Sequence, residues 1–142
     1  MLDIPAGFQR SPPTGPFGDI VGPLHSRVTG TNYITAMRVE ERHCNRAMQM
    51  HGAMMSMLFD TAFYYAARQQ YDAAIGIVTG HLALDFVGTA RPDDWVEAHV
   101  EIVRSGRNIC YLTGFAWNDG QRIGAASAQF LTVDRTRRPL QK

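Results

Sequence analysis

The feature that most constrains the fold is the run GAMMSMLFDTAFYYAA, from Gly52 to Ala67, in which Asp60 is the only charged residue. Apolar side chains occupy every face of a helical wheel drawn over this run, and a helix that is apolar all round is typical of a protein interior. The run is short and is soon followed by Arg68, which argues against a membrane span. The sequence therefore predicts a buried helix from about Gly52 to Gln70.

Asp60 is the exception within this helix. An ionised carboxylate that is surrounded by apolar groups loses its hydration, and this is costly unless another group compensates. No basic residue stands three or four positions away, so hydrogen bonds have to come from Ser56 or from another segment. Two interpretations stay open: Asp60 braces the backbone, or it lines a cavity in which chemistry uses it.

The start of the same helix favours the second interpretation. Gly52 lets a ligand approach backbone N–H groups that have no partner within the helix. Those amides and the helix dipole stabilise negative charge. Asn45 adds a neutral group that can orient a carbonyl or a water. A helix start of this kind, with a carboxylate two turns later, supplies two components of an acyl-transfer site.

Whole-chain quantities fit a small enzyme or binding domain. A chain of 142 residues is large enough for one domain with its own core. The formal net charge of +1, from 14 basic and 13 acidic residues, gives no overall field for nucleic acid. Cys44 and Cys110 have no metal-like spacing, and they favour a reducing compartment without disulfides. The start MLDIPAGFQR lacks the basic and apolar segments of a signal peptide, so we expect a cytoplasmic protein.

Along the chain, the pattern predicts an α+β fold with one long buried helix and a curved antiparallel sheet. Residues 1–24 are rich in Pro and Gly and are expected to form an irregular arm. Residues 135–142 form a basic tail. Strands are predicted from alternation and turn signals at Tyr33–Glu40, Thr79–Val87, Trp95–Val103, Ile109–Trp117 and Arg122–Val133. Such a sheet has an open edge that needs cover, so a homo-oligomer is expected.

The residues around the helix start match a known pattern. They resemble the hotdog-fold acyl-CoA thioesterases of the phenylacetate-degradation type, in which His-x-Asn-x-x-Gly-x-x-His-Gly-Gly is followed by Asp, eight residues after the first Gly of the pair. The matching residues are His43, Asn45, His51, Gly52 and Asp60, followed by Val78 and Thr79 at the start of a strand. The likeness runs from about Gly22 to Val133. Three positions depart from the pattern: Met48 for Gly, Ala53 for the second Gly of the pair, and His81 for an Asp or another polar residue.

The resemblance implies a hotdog domain at residues 25–134 that hydrolyses an acyl-CoA thioester to free CoA and a carboxylic acid. It also implies a dimer or a dimer of dimers, with each site shared by two subunits. Asp60 of the neighbouring subunit would be the general base or the nucleophile, and these two roles stay open. Gly52 and Asn45 would hold the carbonyl, and Thr79 would position the water or the carboxylate.

Further residues are candidates for substrate binding: His51, Ala53, His81, Arg104 and Arg107. His81 is either a site wall or a packed strand histidine, and each arginine either reaches CoA phosphates or lies in a solvated turn. No metal site and no cofactor are expected, because the histidines lack ligand spacing. Two other functions stay open, namely a hotdog dehydratase or hydratase, and a non-hydrolytic acyl-CoA-binding protein.

Overall fold

The computed structural model describes residues 3–134, in which one long helix packs against one face of a seven-stranded, curved antiparallel sheet. The helices are α1 (Pro16–Val21) and α2 (Gly52–Arg68), and a 3-10 turn spans Glu41–His43. The strands are β1 (Gln9–Arg10), β2 (His25–Thr29), β3 (Asn32–Arg38), β4 (Gly76–Phe86), β5 (Trp95–Ser105), β6 (Ile109–Asn118) and β7 (Gln121–Val133). Their order across the sheet is β1-β2-β3-β5-β6-β7-β4.

The core lies between α2 and the inner face of the sheet. Along β5, Val96, Ala98 and Val100 are buried against the helix, whereas Glu97 and His99 point away, as the alternation predicts. Small residues on β7 let the helix come close. At Gly124, an added Cβ would lie 2.8 Å from the Met55 sulfur, so any larger residue there would require the Met55 side chain to move.

The turn between β6 and β7 also follows its sequence signal. Asp119 and Gly120 have φ values of 47° and 73°, the left-handed conformations that a two-residue hairpin turn requires. The predicted α+β architecture, with one long helix and a curved antiparallel sheet, is confirmed. Of the strands after α2, only β5, β6 and β7 form a meander, since β4 pairs with β7.

The amino-terminal arm is more ordered than expected. It contributes β1, which pairs with β2, and the helix α1. The Arg42 guanidinium donates to the carbonyls of Ile20 and Gly22, at the end of α1. Tyr65 donates its hydroxyl to the Pro12 carbonyl at 2.7 Å. The strand β2 was not predicted either, and the basic tail at 135–142 lies outside the described residues.

The expectation that α2 is buried all round is wrong for one of its faces. Met55, Leu58, Phe59, Phe63 and Ala66 are buried against the sheet, but Met57, Asp60 and Tyr64 on the opposite side are only half-buried. We call this second side the open face of α2. The arm around α1 lies along one flank of the open face, and β4 lies along the other.

The strand β4 forms one edge of the sheet and carries a bulge. Thr79 pairs with Phe130 and His81 pairs with Gln129, so Gly80 is the extra residue. A Cβ at Gly80 would lie 2.8 Å from Leu131, which explains the glycine. Two large apolar side chains of this edge strand, Val78 and Phe86, are exposed. Among the described residues, no helix is long and apolar enough to cross a membrane.

Candidate functional site

The loop before α2 is folded as a tight hairpin. His51 donates its N–H to the His43 carbonyl at 2.9 Å, and Asn45 donates its N–H to the Gln49 carbonyl at 2.8 Å. The side-chain oxygen of Asn45 accepts from the N–H groups of Ala47 and Gln49, at 2.9 and 3.3 Å. The Asn45 side-chain oxygen therefore holds the loop. The NH₂ group of the same side chain is exposed and can donate to a ligand.

One departure from the family pattern has a structural consequence in this loop. Met48 has a φ of 55°, in the left-handed region that favours glycine, and its side chain is exposed. The loop thus keeps the backbone shape that a glycine would adopt freely and accepts a strained methionine instead.

His51 caps the start of α2. Its Nδ1 accepts from the Ala53 N–H at 3.0 Å. In the neutral ring this places the proton on Nε2, which is the donor that remains for a ligand. The Ala53 amide is occupied by this cap, so the candidate role of Ala53 is limited to its exposed methyl group.

The amide of Gly52 is the group that can hold an oxyanion. Across residues 3–134, no carbonyl or side chain accepts from this N–H, which stands at the positive end of the α2 dipole. The Gly52 carbonyl accepts from Ser56 Oγ at 2.8 Å, so Ser56 does not serve Asp60. A Cβ at Gly52 would lie 3.4 Å from the Phe86 ring, which leaves room for a methyl group and little more.

Asp60 finds its partner on β4. Thr79 Oγ1 donates to Asp60 Oδ1 at 2.7 Å, and the second carboxylate oxygen is available on the open face. Asp60 also lines a cavity of about 360 Å³ with Phe17 of α1 and with Met57 and Tyr64 of α2. Asp60 is therefore held by a side chain of β4 and faces a cavity, and its predicted catalytic use stays a prediction.

A second cavity, of about 340 Å³, lies at the amino end of the open face. It is lined by His51, Ala53 and Met54 of α2 and by apolar side chains of α1, Phe17 and Ile20 among them. The sequence pattern missed the arm as a wall of the site. A short helix in a Pro/Gly-rich segment has no periodic signal that could have revealed it.

Three of the expected binding residues lie elsewhere within the protomer. His81 is on the sheet face opposite α2, because the bulge at Gly80 turns it away from Thr79. Arg104 and Arg107 lie at the β5–β6 hairpin, which Tyr71 ties to the segment after α2 by a 2.8 Å hydrogen bond to the Gly106 carbonyl. This is the carboxyl end of α2, whereas Gly52 stands at its amino end, about 24 Å away.

Two other titratable residues near the loop have structural roles. His43 Nδ1 accepts from the Glu40 N–H at 2.9 Å, and burial, with the nearby Arg42 charge, lowers the pKa of His43. Burial, with the Glu41 carboxylate, raises the pKa of the Cys44 thiol. A thiol that stays protonated at neutral pH is a poor nucleophile, so Cys44 does not fit that role.

Comparison with known proteins assigns the family. The family model described as "Thioesterase superfamily" matches residues 49–125, which include His51, Gly52, Asp60 and Thr79. A Pseudomonas aeruginosa protein named "Putative esterase PA0474" is 30% identical over 131 residues, covering 92% of this chain and 98% of that protein. This chain belongs to the thioesterase superfamily.

Solved structures confirm the hotdog fold. The Escherichia coli PaaI protein, from the phenylacetic acid degradation operon, superposes with a TM-score of 0.75 at 17% identity, covering 84% of this chain and 86% of that one. A hypothetical thioesterase from Streptococcus pneumoniae, solved with coenzyme A, gives a TM-score of 0.70 at 16% identity, covering 78% and 89%.

Proposed function

We propose that this protein hydrolyses an acyl-CoA thioester to free CoA and a carboxylic acid. The observation that carries the proposal is the pair of groups on α2: an amide without an acceptor at Gly52, and a carboxylate held by Thr79 on a half-buried apolar face. Hydrolysis of a thioester at such a site uses both, a donor for the developing oxyanion and a carboxylate that activates water as a base or attacks directly.

The two groups cannot serve one carbonyl within the same protomer. Eight residues of helix separate Gly52 from Asp60, or about 12 Å along the axis. An attacking group has to lie about 3–3.5 Å from the carbonyl carbon. In addition, Thr79 turns the carboxylate towards β4. We therefore assign each site to two chains, with Gly52 and Asn45 from one protomer and the Asp60 carboxylate from a second copy.

The edge strand β4 supports such a pairing. It is eleven residues long, stands at the end of the sheet and exposes Val78 and Phe86. An uncovered edge of this length is a template for pairing with another chain. Because Thr79 lies on this strand and Asp60 contacts it, a second copy added at β4 brings the two candidate half-sites close to each other.

The reaction then follows from the available groups. The thioester oxygen accepts from the Gly52 N–H and the Asn45 NH₂ group, which stabilise the negative charge that develops there. With Asp60 as general base, the carboxylate takes a proton from water as the water oxygen bonds to the carbonyl carbon. The C–S bond then breaks, and the CoA thiolate takes up the proton. With Asp60 as nucleophile, its carboxylate oxygen bonds to the carbonyl carbon and the C–S bond breaks, which gives an acyl anhydride and the CoA thiolate. Water then cleaves the anhydride to the carboxylic acid and the free Asp60 carboxylate, and the proton released is taken up by CoA.

The CoA portion of the substrate needs donors for its phosphates. His51 Nε2 at the helix start is one, and the exposed Arg104 and Arg107 are others if the partner subunit brings its hairpin to this end of α2. That a related fold was solved with coenzyme A supports this ligand class.

The test is release of CoA, followed with a thiol-detecting dye, from a panel of acyl-CoAs that contains acetyl, octanoyl and phenylacetyl thioesters. We expect turnover with at least one of them and slower cleavage of the matching oxygen esters. Saturable binding without thiol release from any member would contradict hydrolysis and favour an acyl-CoA-binding protein. Hydration or dehydration of an enoyl or hydroxyacyl thioester, with CoA still attached, would favour the hydratase instead.

A further inference from the structure

The open face of α2 carries two cavities that share only two wall residues. The cavity at Asp60 and the cavity at His51 both include Phe17 of α1 and Met57 of α2 in their linings, and no other residue is common to them. These two side chains therefore stand between the spaces beside the two candidate catalytic groups.

Phe17 is not a core residue. None of the residues of α1 is buried, and the Phe17 and Ile20 side chains are 61% and 67% exposed. The arm is held at its ends, by Arg42 on the carbonyls of Ile20 and Gly22 and by Tyr65 on the Pro12 carbonyl. Phe17 is thus presented over the groove by anchors that do not involve its own ring.

We propose that Phe17 contacts the acyl group of the substrate and, together with Met57, sets the acyl length that the site accepts. The inference rests on the proposed thioesterase function and adds a specificity-determining residue to it. An acyl group is the occupant that fits, because both cavities have mainly apolar walls, one beside Asp60 and the other beside the start of α2 at His51 and Ala53. In a site shared by two subunits, the acyl group begins at the carbonyl that these two ends act on, and so it enters one of the two spaces.

The sizes of the cavities give the direction of the effect. Each has the volume of about eleven or twelve water molecules, which suits a short or medium acyl group. Removing the Phe17 ring joins the two spaces and creates room for a longer chain. A larger ring at the same position narrows both spaces and disfavours long chains.

The experiment compares Phe17→Ala and Phe17→Trp with wild type on straight-chain acyl-CoAs from acetyl to dodecanoyl, recording kcat and KM for each. We expect Phe17→Ala to raise the kcat/KM ratio of dodecanoyl to butyryl by about tenfold or more, and Phe17→Trp to lower it. Val28→Ala is the matched control, because Val28 is an exposed apolar residue on β2 that lines neither cavity. It should leave the profile unchanged.

Three results would overturn the inference: a uniform change at every chain length, a shift in the same direction for Ala and Trp, or an altered assembly state with an unaltered profile. The last would identify Phe17 as a contact between copies. Binding of the same acyl-CoAs to each variant, measured by calorimetry, gives a second length profile. If wild type releases no CoA at all, the proposed function fails, and this binding profile still decides the role of Phe17.

Discussion

The two faces of α2 are built from similar residues and end in different environments. On the inner face, Leu58, Phe59 and Phe63 are completely buried against the sheet. On the open face, Met57 and Tyr64 are half-buried, and Asp60 lies between them with Thr79 as its hydrogen-bond partner. Phe59 and Asp60 are neighbours in sequence, but a turn of about 100° between them places one on the inner face and the other on the open face.

This difference shows that a helix with apolar residues all round can have one face in the core and another face that lines a groove. Apolar residues on the inner face stabilise the fold by leaving water, whereas those on the open face form the walls of a groove that is only partly covered within one protomer. The lone carboxylate distinguishes the two faces, because it stands on the one that water and ligands can reach. Substitutions on the inner face should therefore cost stability, and substitutions on the open face should cost activity.

The largest effect is expected at Asp60. Asp60→Asn keeps the size of the side chain and an oxygen that can accept from Thr79, but it removes the charge. We expect turnover to fall by about a thousandfold, with the free energy of unfolding within about 1 kcal/mol of wild type. Thiol release and urea unfolding measure the two quantities. Hydrolysis within a few-fold of wild type would remove Asp60 from the catalytic machinery.

The neighbouring residue, Phe59, should show the opposite behaviour, with a loss of stability and little loss of turnover. Phe59→Ala leaves a cavity under α2 and should lower the free energy of unfolding by about 3–5 kcal/mol. Below the unfolding transition, the folded fraction should retain turnover per active site within a few-fold. Chemical denaturation combined with active-site titration tests this. A Phe59→Ala variant that stays stable and loses turnover would erase the contrast between the two faces.

Gly52 tests the amino end of the open face with a smaller effect. Gly52→Ala places a methyl group 3.4 Å from the Phe86 ring and should change kcat little. Gly52→Val forces the ring aside and crowds the amide, so we expect kcat to fall by about tenfold or more. Steady-state kinetics with acetyl-CoA separate kcat from KM. Normal turnover in both variants, if both fold, would place the oxyanion site elsewhere.

The smallest effect is expected at Met48, which lies in the loop before α2 and belongs to neither face of the helix. Met48→Gly relieves the left-handed backbone at φ 55° and should stabilise the protein by about 1 kcal/mol, with little change in kcat. Met48→Ala is the control, because it removes the side chain and keeps the strain. Equal stabilisation by Gly and Ala would show that the exposed side chain, and not the backbone, is unfavourable.

Local patterns were enough to predict much of this fold. The start of α2, the alternation along β5 and the Asp119-Gly120 turn depend on residues close in sequence, and all three are observed. The helix ends at Arg68, two residues before the predicted end. The arm was predicted, but its helix and strand and the strand β2 were not, because β1 pairs with β2 and α1 lies over α2, which are contacts across the chain.

The candidate site residues were chosen from the sequence, but much of their geometry does not follow from it. Thr79 was a candidate, but its hydrogen bond to Asp60 joins residues nineteen positions apart. His81 was a candidate site wall, and on a regular strand a residue two positions after Thr79 would share its face. The bulge at Gly80, which depends on packing against Leu131, breaks that relation. The occupied amide of Ala53 likewise depends on how the His51 ring turns.

The most direct test of the account is complementation between two inactive variants. Asn45→Asp keeps the oxygen that holds the loop and removes the NH₂ donor, and Asp60→Asn removes the carboxylate. If each site takes Asn45 from one chain and Asp60 from the other, a mixed dimer contains one intact site. Random assortment makes half of the dimers mixed, so co-refolded variants should regain about a quarter of wild-type activity. With both variants inactive alone and subunit exchange demonstrated, a mixture no more active than its parents would contradict the shared site.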